Sequence, residues 1–127
     1  MNSLFQISLL VDDYDEAIHF YTEVLGFELL EDTKLSETKR WVRVQPKGGK
    51  GASLLLAQAK EDQNAYVGNQ TGGRVFLFVH THDLKKDHQN LLDHGVKIVR
   101  EPSSEEYGEV LVFQDLYGNL IDLIQPK

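Results

Sequence analysis

Two stretches of this chain, about 70 residues apart, run through the same order of signals. That repeat limits the fold more than any single motif. Residues 4–11, LFQISLLV, are β-prone and mostly apolar. DDYDEAIHFYTEVLGF follows, with Ala17, Phe20, Tyr21, Val24 and Leu25 at helical spacing on one face. Asp13 with Glu16 three residues on has the form of a capping box, and Gly26 is a natural helix stop. Strands are expected at Phe27–Leu35, Lys39–Gln45 and Ala52–Gln58. PKGGKG (46–51) holds several glycines, but no helix follows it. A phosphate cradle needs a helix N-terminus, so the stretch reads as a hairpin loop.

The order then restarts. RVFLFVHT (74–81) is a strand, and DLKKDHQNLLDHG (83–95) a helix with Leu84, His88, Leu91 and Leu92 at helical spacing. VKIVRE (96–101), GEVLVFQD (108–115) and NLIDLIQ (119–125) are strands, and SSEEYGE (103–109) reads as a solvated turn. Asp83 answers to Asp13 and Gly95 to Gly26. The expectation is one α+β domain of two βαβββ modules, 1–58 and 74–127. AKEDQNAYVGNQTGG (59–73) would link them and could act as a mobile lid. A helix on one face of each sheet leaves the other face free. The free faces would curve around a shared cavity as an eight-stranded mixed sheet.

Charge and composition narrow the function. A net charge of −7 argues against nucleic acid or an anionic membrane as a partner. With no cysteine there are no disulfides, no thiolate catalysis and no Cys-based zinc site. Residues 1–11 lack a basic start and a long apolar run, and no stretch reaches membrane-spanning length, so a cytoplasmic protein is expected.

One residue breaks the apolar pattern. In DLYGNLIDLI (115–124), Leu120, Asp122 and Ile124 share one strand face. An unpaired buried carboxylate costs several kcal/mol, so Asp122 belongs to a site, has a structural partner, or faces water. Arg74 could be that partner. Arg43 and Trp41 share a face of the third strand. They could grip an anionic planar ligand, or the Arg stem could lie on an exposed Trp. His19, His82, His88 and His94 sit among polar residues and read as solvated helix faces.

VDDYDEAIHFYTEVLGFELL and VFQDLYGNLIDLIQP resemble the two ends of the vicinal oxygen chelate superfamily, which includes glyoxalase I, extradiol dioxygenases, fosfomycin-resistance enzymes and bleomycin-binding proteins. The resemblance covers nearly the whole chain. It implies a metal site built from the first and last strands of each module. Gln6 falls at the first position and Asp122 at the last, where the family has Glu. Phe76 stands where a His is usual, or Arg74 on a shorter count, and ASLLLAQ supplies no carboxylate. Divalent ions in such sites take three or more protein ligands. The resemblance therefore points to a metal-free cavity. A divalent metal on Gln6, His80 and Asp122 is the alternative.

The implied function is that of a glyoxalase-like protein that binds or transforms a small organic molecule. Gln6, Trp41, Arg43, Arg74, Phe76 and His80 would line the ligand. Asp122 would be the catalytic base for proton transfer beside a carbonyl or enol. The alternatives are a drug-sequestering protein of the bleomycin-resistance type and a metal-dependent lyase or dioxygenase. The resemblance also implies a homodimer, with modules paired within or between chains.

Overall fold

The computed structural model describes residues 1–127. They form two compact units, Met1–Val67 and Gly68–Lys127. The first contains β1 (Gln6–Val11), α1 (Tyr14–His19), β2 (Phe27–Lys34), β3 (Arg40–Pro46) and β4 (Ser53–Gln58). The second contains β5 (Val75–His80), α2 (Leu84–Asp93), β6 (Ile98–Glu105), β7 (Gly108–Gln114) and β8 (Leu120–Pro126). The expected βαβββ order thus occurs twice.

Hydrogen bonding groups the eight strands four and four. The orders are β1-β4-β3-β2 and β5-β8-β7-β6, the same arrangement in each unit. In both, the first strand pairs parallel with the fourth, and the other pairs are antiparallel. A parallel pair needs a crossover rather than a tight turn, and the helix after the first strand begins it.

Both helices start as their sequences suggest. Asp13 Oδ1 accepts from Glu16 N at 2.9 Å, and Asp83 Oδ1 accepts from Lys86 N at 3.1 Å. These caps satisfy amides that the first helical turn leaves free. Gly26 and Gly95 end the segments at φ of +76° and +69°, a conformation that costs glycine nothing. The first helix differs from expectation in its second half. After His19 the chain widens into a π turn over Phe20–Val24, where Leu25 N donates to Phe20 O at 3.0 Å. Thr22 Oγ1 donates back to Ile18 O at 2.7 Å. The turn keeps Phe20, Tyr21 and Val24 buried together.

Apolar side chains fill one face of each sheet. Leu9, Val11, Ala17, Tyr21, Val42, Val44 and Leu56 are fully buried in the first unit. Leu84, Leu91, Leu111, Ile121 and Leu123 are buried in the second. His88 is a correction to the solvated reading. Its Nε2 is buried without a hydrogen-bond partner, 3.8 Å from Glu101 Oε2. The α2 face that buries Leu84 and Leu91 carries His88 inward with it.

Two loops are more ordered than the sequence suggests. Stretch 59–73 contains a 3-10 helix at Glu61–Tyr66, not a bare lid. SSEEYGE shrinks to a two-residue turn, because Ser103, Ser104 and Glu105 continue β6 opposite Val110, Glu109 and Gly108.

The DLYGN turn that launches β8 is held by one carboxylate. Asp115, only 5 % exposed, accepts through Oδ1 from the amides of Tyr117, Gly118 and Asn119 at 2.9, 3.0 and 2.9 Å. Its Oδ2 accepts from Asn119 Nδ2 at 2.9 Å. Asn119 Oδ1 in turn accepts from Gln70 N at 3.0 Å. Gly68 lies so close that a Cβ there would sit 1.9 Å from Tyr117 O.

Candidate functional site

Burial alternates along β1, β3 and β8 and separates a packed face from a more open one, whereas in β7 Val110, Leu111, Val112 and Phe113 are all buried. In β8, Ile121 and Leu123 are buried while Leu120, Asp122 and Ile124 are half-buried. In β1, Leu9 and Val11 are fully buried while Gln6 and Leu10 remain partly open. The more open face of the first sheet carries Gln6, Trp41 and Arg43, and that of the second carries Asp122.

In the first unit that face is organised by Arg43. It stands opposite Leu55 of β4 and Glu31 of β2 in register. Its Nε donates to Gln6 Oε1 at 2.8 Å, and Nη2 donates to Ser53 Oγ at 3.3 Å. Nη1 lies 3.6 Å from Glu31 Oε1. The guanidinium also lies 4.8 Å from the centre of the Phe5 ring. Gln6 and Arg43 are thus brought together. Trp41 sits two residues along β3 and is half-buried, but the ring under the guanidinium is Phe5.

The second unit carries the isolated acid. Asp122 is paired in register with Phe78 of β5 and Val112 of β7, and Val112 with Arg100 of β6. The row across the free face reads Phe78, Asp122, Val112, Arg100. Phe78 is 68 % exposed, although large and apolar. Asp122 Oδ1 is buried without a hydrogen-bond partner. Burial raises the Asp122 pKa, and the positive charge of Arg100 offsets part of the rise. Arg74 was the sequence candidate for a partner. It is exposed, precedes β5, and makes no ion pair with Asp122. The charge that acts on Asp122 comes instead from β6.

The remaining candidates are scattered in the second unit. Phe76 occupies the bulge between Val75 and Leu77, where the β5–β8 register shifts. His80 is exposed and stands opposite Ile124. With Thr81, His82, Gln125 and Pro126 it borders a groove of about 320 Å³ at the strand end.

Phe5, Ser53, Glu31, Phe78 and Arg100 were not singled out from the sequence. Phe78 was within reach, since it shares the face of Phe76 and His80 by simple alternation. Arg100 was not. The β6–β7 register shifts between Ile98 and Arg100 and again before Ser103. Arg100 thus has a shift on either side, and no spacing rule carries a face across a bulge.

A larger groove of about 440 Å³ lies by Tyr14 and Arg40 on the helix side of the first sheet. Arg40 forks onto both carboxylate oxygens of Asp32 at 3.1 and 2.7 Å and reaches Asp15 at 2.9 Å. Its hydrogen bonds hold the Asp32 pKa low. The cluster ties the β2–β3 hairpin to α1 and is read as structural.

The glyoxalase/bleomycin resistance protein/dioxygenase superfamily model matches residues 3–123. The chain belongs to that superfamily. An uncharacterized protein of Shewanella frigidimarina is 54% identical over 97% of this chain and 93% of its own length. The crystal structure of TnmS3, an antibiotic binding protein from Streptomyces sp. CB03234, is similar at a TM-score of 0.80 and 31% identity, covering 100% of this chain and 98% of that one. UcmS2 is similar at a TM-score of 0.83 and 29% identity, over 98% of both chains.

Metal ions are common in this superfamily, and the residues here do not fit one. Nowhere do three or more His, Asp or Glu side chains converge as a metal site requires. Gln6, the first-strand oxygen, already accepts from a guanidinium. A divalent ion at that oxygen would face the positive charge of Arg43.

Proposed function

We propose that this superfamily member binds a small, largely apolar organic molecule on the free faces of its sheets, without a metal ion. The observation that carries the reading is the bond from Arg43 to Gln6 at 2.8 Å. It places a fixed cation at the one amide oxygen a first-strand metal site would use. What is left on these faces suits holding: exposed Phe5 and Phe78, half-buried Trp41, and polar groups to orient a ligand. The whole-length likeness to an antibiotic binding protein supports the same class of ligand. The same exposed aromatics are the basis for proposing that two copies of the chain associate as a homodimer.

A second reading, proton transfer by Asp122, is favoured by one observation. Burial raises the pKa of that carboxyl toward the range in which a base works well.

One experiment separates these readings. Trp41 is the only tryptophan, and it lies on the free face of the first sheet. Titration with a panel of planar apolar antibiotics should change its fluorescence with saturation, equally with and without a chelator. Nickel, zinc, manganese or iron(II) alone should leave the melting temperature unmoved. Ligand recovered unchanged by mass spectrometry supports binding, and altered ligand supports proton transfer. Binding that needs an added metal would overturn the proposal.

A further inference from the structure

Resting on the reading that these faces hold small organic molecules, we propose that the free face of the second sheet selects ligands carrying a protonated amine on a flat apolar body. Asp122 takes the ammonium and Phe78 the body.

The row Phe78, Asp122, Val112, Arg100 is the basis. A carboxylate only accepts hydrogen bonds. Around Asp122, Leu120, Ile124 and Val112 offer no side-chain donor, and its Oδ1 is buried without one. A ligand can supply the donor that the protein does not. A charged donor gains most there, because the low-dielectric surroundings strengthen a charge-assisted bond. Phe78 stands in register on the adjacent strand, about 4.8 Å away at the backbone, and most of its ring surface is open. An open aromatic ring beside a carboxylate adds an apolar platform and a cation–π contact for the same ammonium. The net charge of −7 draws cations toward the chain as a whole.

Arg100 is the opposing element. It sits beyond Val112, exposed to solvent, so its repulsion of a bound cation is screened. It limits the selectivity for amines without reversing it.

The test uses the intact chain and three fluorescent probes of one shape: naphthylethylamine, naphthylethanol and naphthylacetate. Anisotropy at neutral pH gives each affinity. The amine should bind about tenfold or more tighter than the alcohol, the usual worth of a hydrogen bond to a charged group. The acetate should bind weakest. Asp122→Asn should bring the amine to the level of the alcohol and leave the alcohol unchanged. Phe78→Ala should weaken amine and alcohol together, and Arg100→Leu should widen the gap between them. An amine that binds no tighter than the alcohol, or a preference that survives Asp122→Asn, rejects the amine assignment. Binding of the alcohol in that case keeps the small-molecule reading intact. Failure of all three probes to bind rejects both.

Discussion

The two units share strand order and pairing, yet their free faces treat charge in opposite ways. In the first, the row across the sheet is Ser8, Leu55, Arg43 and Glu31. Its cation is fully engaged, by Gln6, Ser53, Glu31 and the Phe5 ring. In the second, the row is Phe78, Asp122, Val112 and Arg100. Its anion has a buried oxygen with no partner. A satisfied charge fixes its neighbours in place. An unsatisfied one costs stability in the free protein, and a ligand can recover that cost. The contrast is why the acid, rather than the arginine, is assigned the selective contact.

The second unit holds the contrast within itself. Asp115 and Asp122 lie seven residues apart, on either side of one turn. Asp115 accepts four hydrogen bonds at 2.9 to 3.0 Å. Asp115→Ala should be the most damaging single change, because three amides and the Asn119 side chain lose their acceptor together. A loss of roughly 3–4 kcal/mol is expected, read as a lower urea midpoint. If it costs no more than Asp122→Ala, the distinction between a structural and a functional acid fails.

That distinction also marks how far the sequence could be read. The repeat gave the order of elements along both units, because the capping Asp and the stopping Gly recur at matched places and the apolar periods change between them. Asp122 was visible as an acid on an apolar face, since alternation in a strand needs no tertiary information. Gln6 could be placed by counting from Asp13. Which charge meets which was not readable. Arg43 reaches Gln6 across β4, and the charge of Arg100 acts on Asp122 from beyond β7, from a position between two register shifts. The first depends on the sheet order, which sets β4 between β3 and β1, and the second on bulges, which leave little trace in composition. Arg74 was a candidate partner on the condition that it and Asp122 face the same cavity. It lies just outside β5, which begins at Val75.

Removing the satisfied charge tests the first half of the comparison. Arg43→Leu deletes the donor to Gln6 and Ser53 and leaves Glu31 without its nearby cation. Ser53 is 1 % exposed, so water cannot readily replace that donor. A loss of about 2 kcal/mol is expected. It should appear as faster amide hydrogen exchange at the β1–β4 pairing, with β5–β8 unaffected. Equal acceleration in both sheets would mean that the charge network acts on the whole chain and not on one face.

Removing the unsatisfied charge should have the smallest effect and the opposite sign. The folded-state pKa of Asp122 lies above that of the unfolded chain, chiefly through burial. In the interval between the two values the folded protein binds the extra proton. Stability therefore falls as pH rises through that window, and the cost is complete above the folded pKa. Asp122→Asn keeps the shape and removes the charge. It should raise stability at pH 7 by about 1 kcal/mol, a few degrees in melting temperature for a chain of this size. At pH 3, where both states of the wild-type carboxyl are largely protonated, the gain should vanish. Asp32 supplies the internal control, since its pKa is held low by Arg40 and its contribution is lost as pH falls. Acid should thus weaken the first unit through Asp32 and relieve the second through Asp122. A variant equally stabilised at both pH values would show that the gain comes from packing, and that the Asp122 charge carries no cost for a ligand to recover.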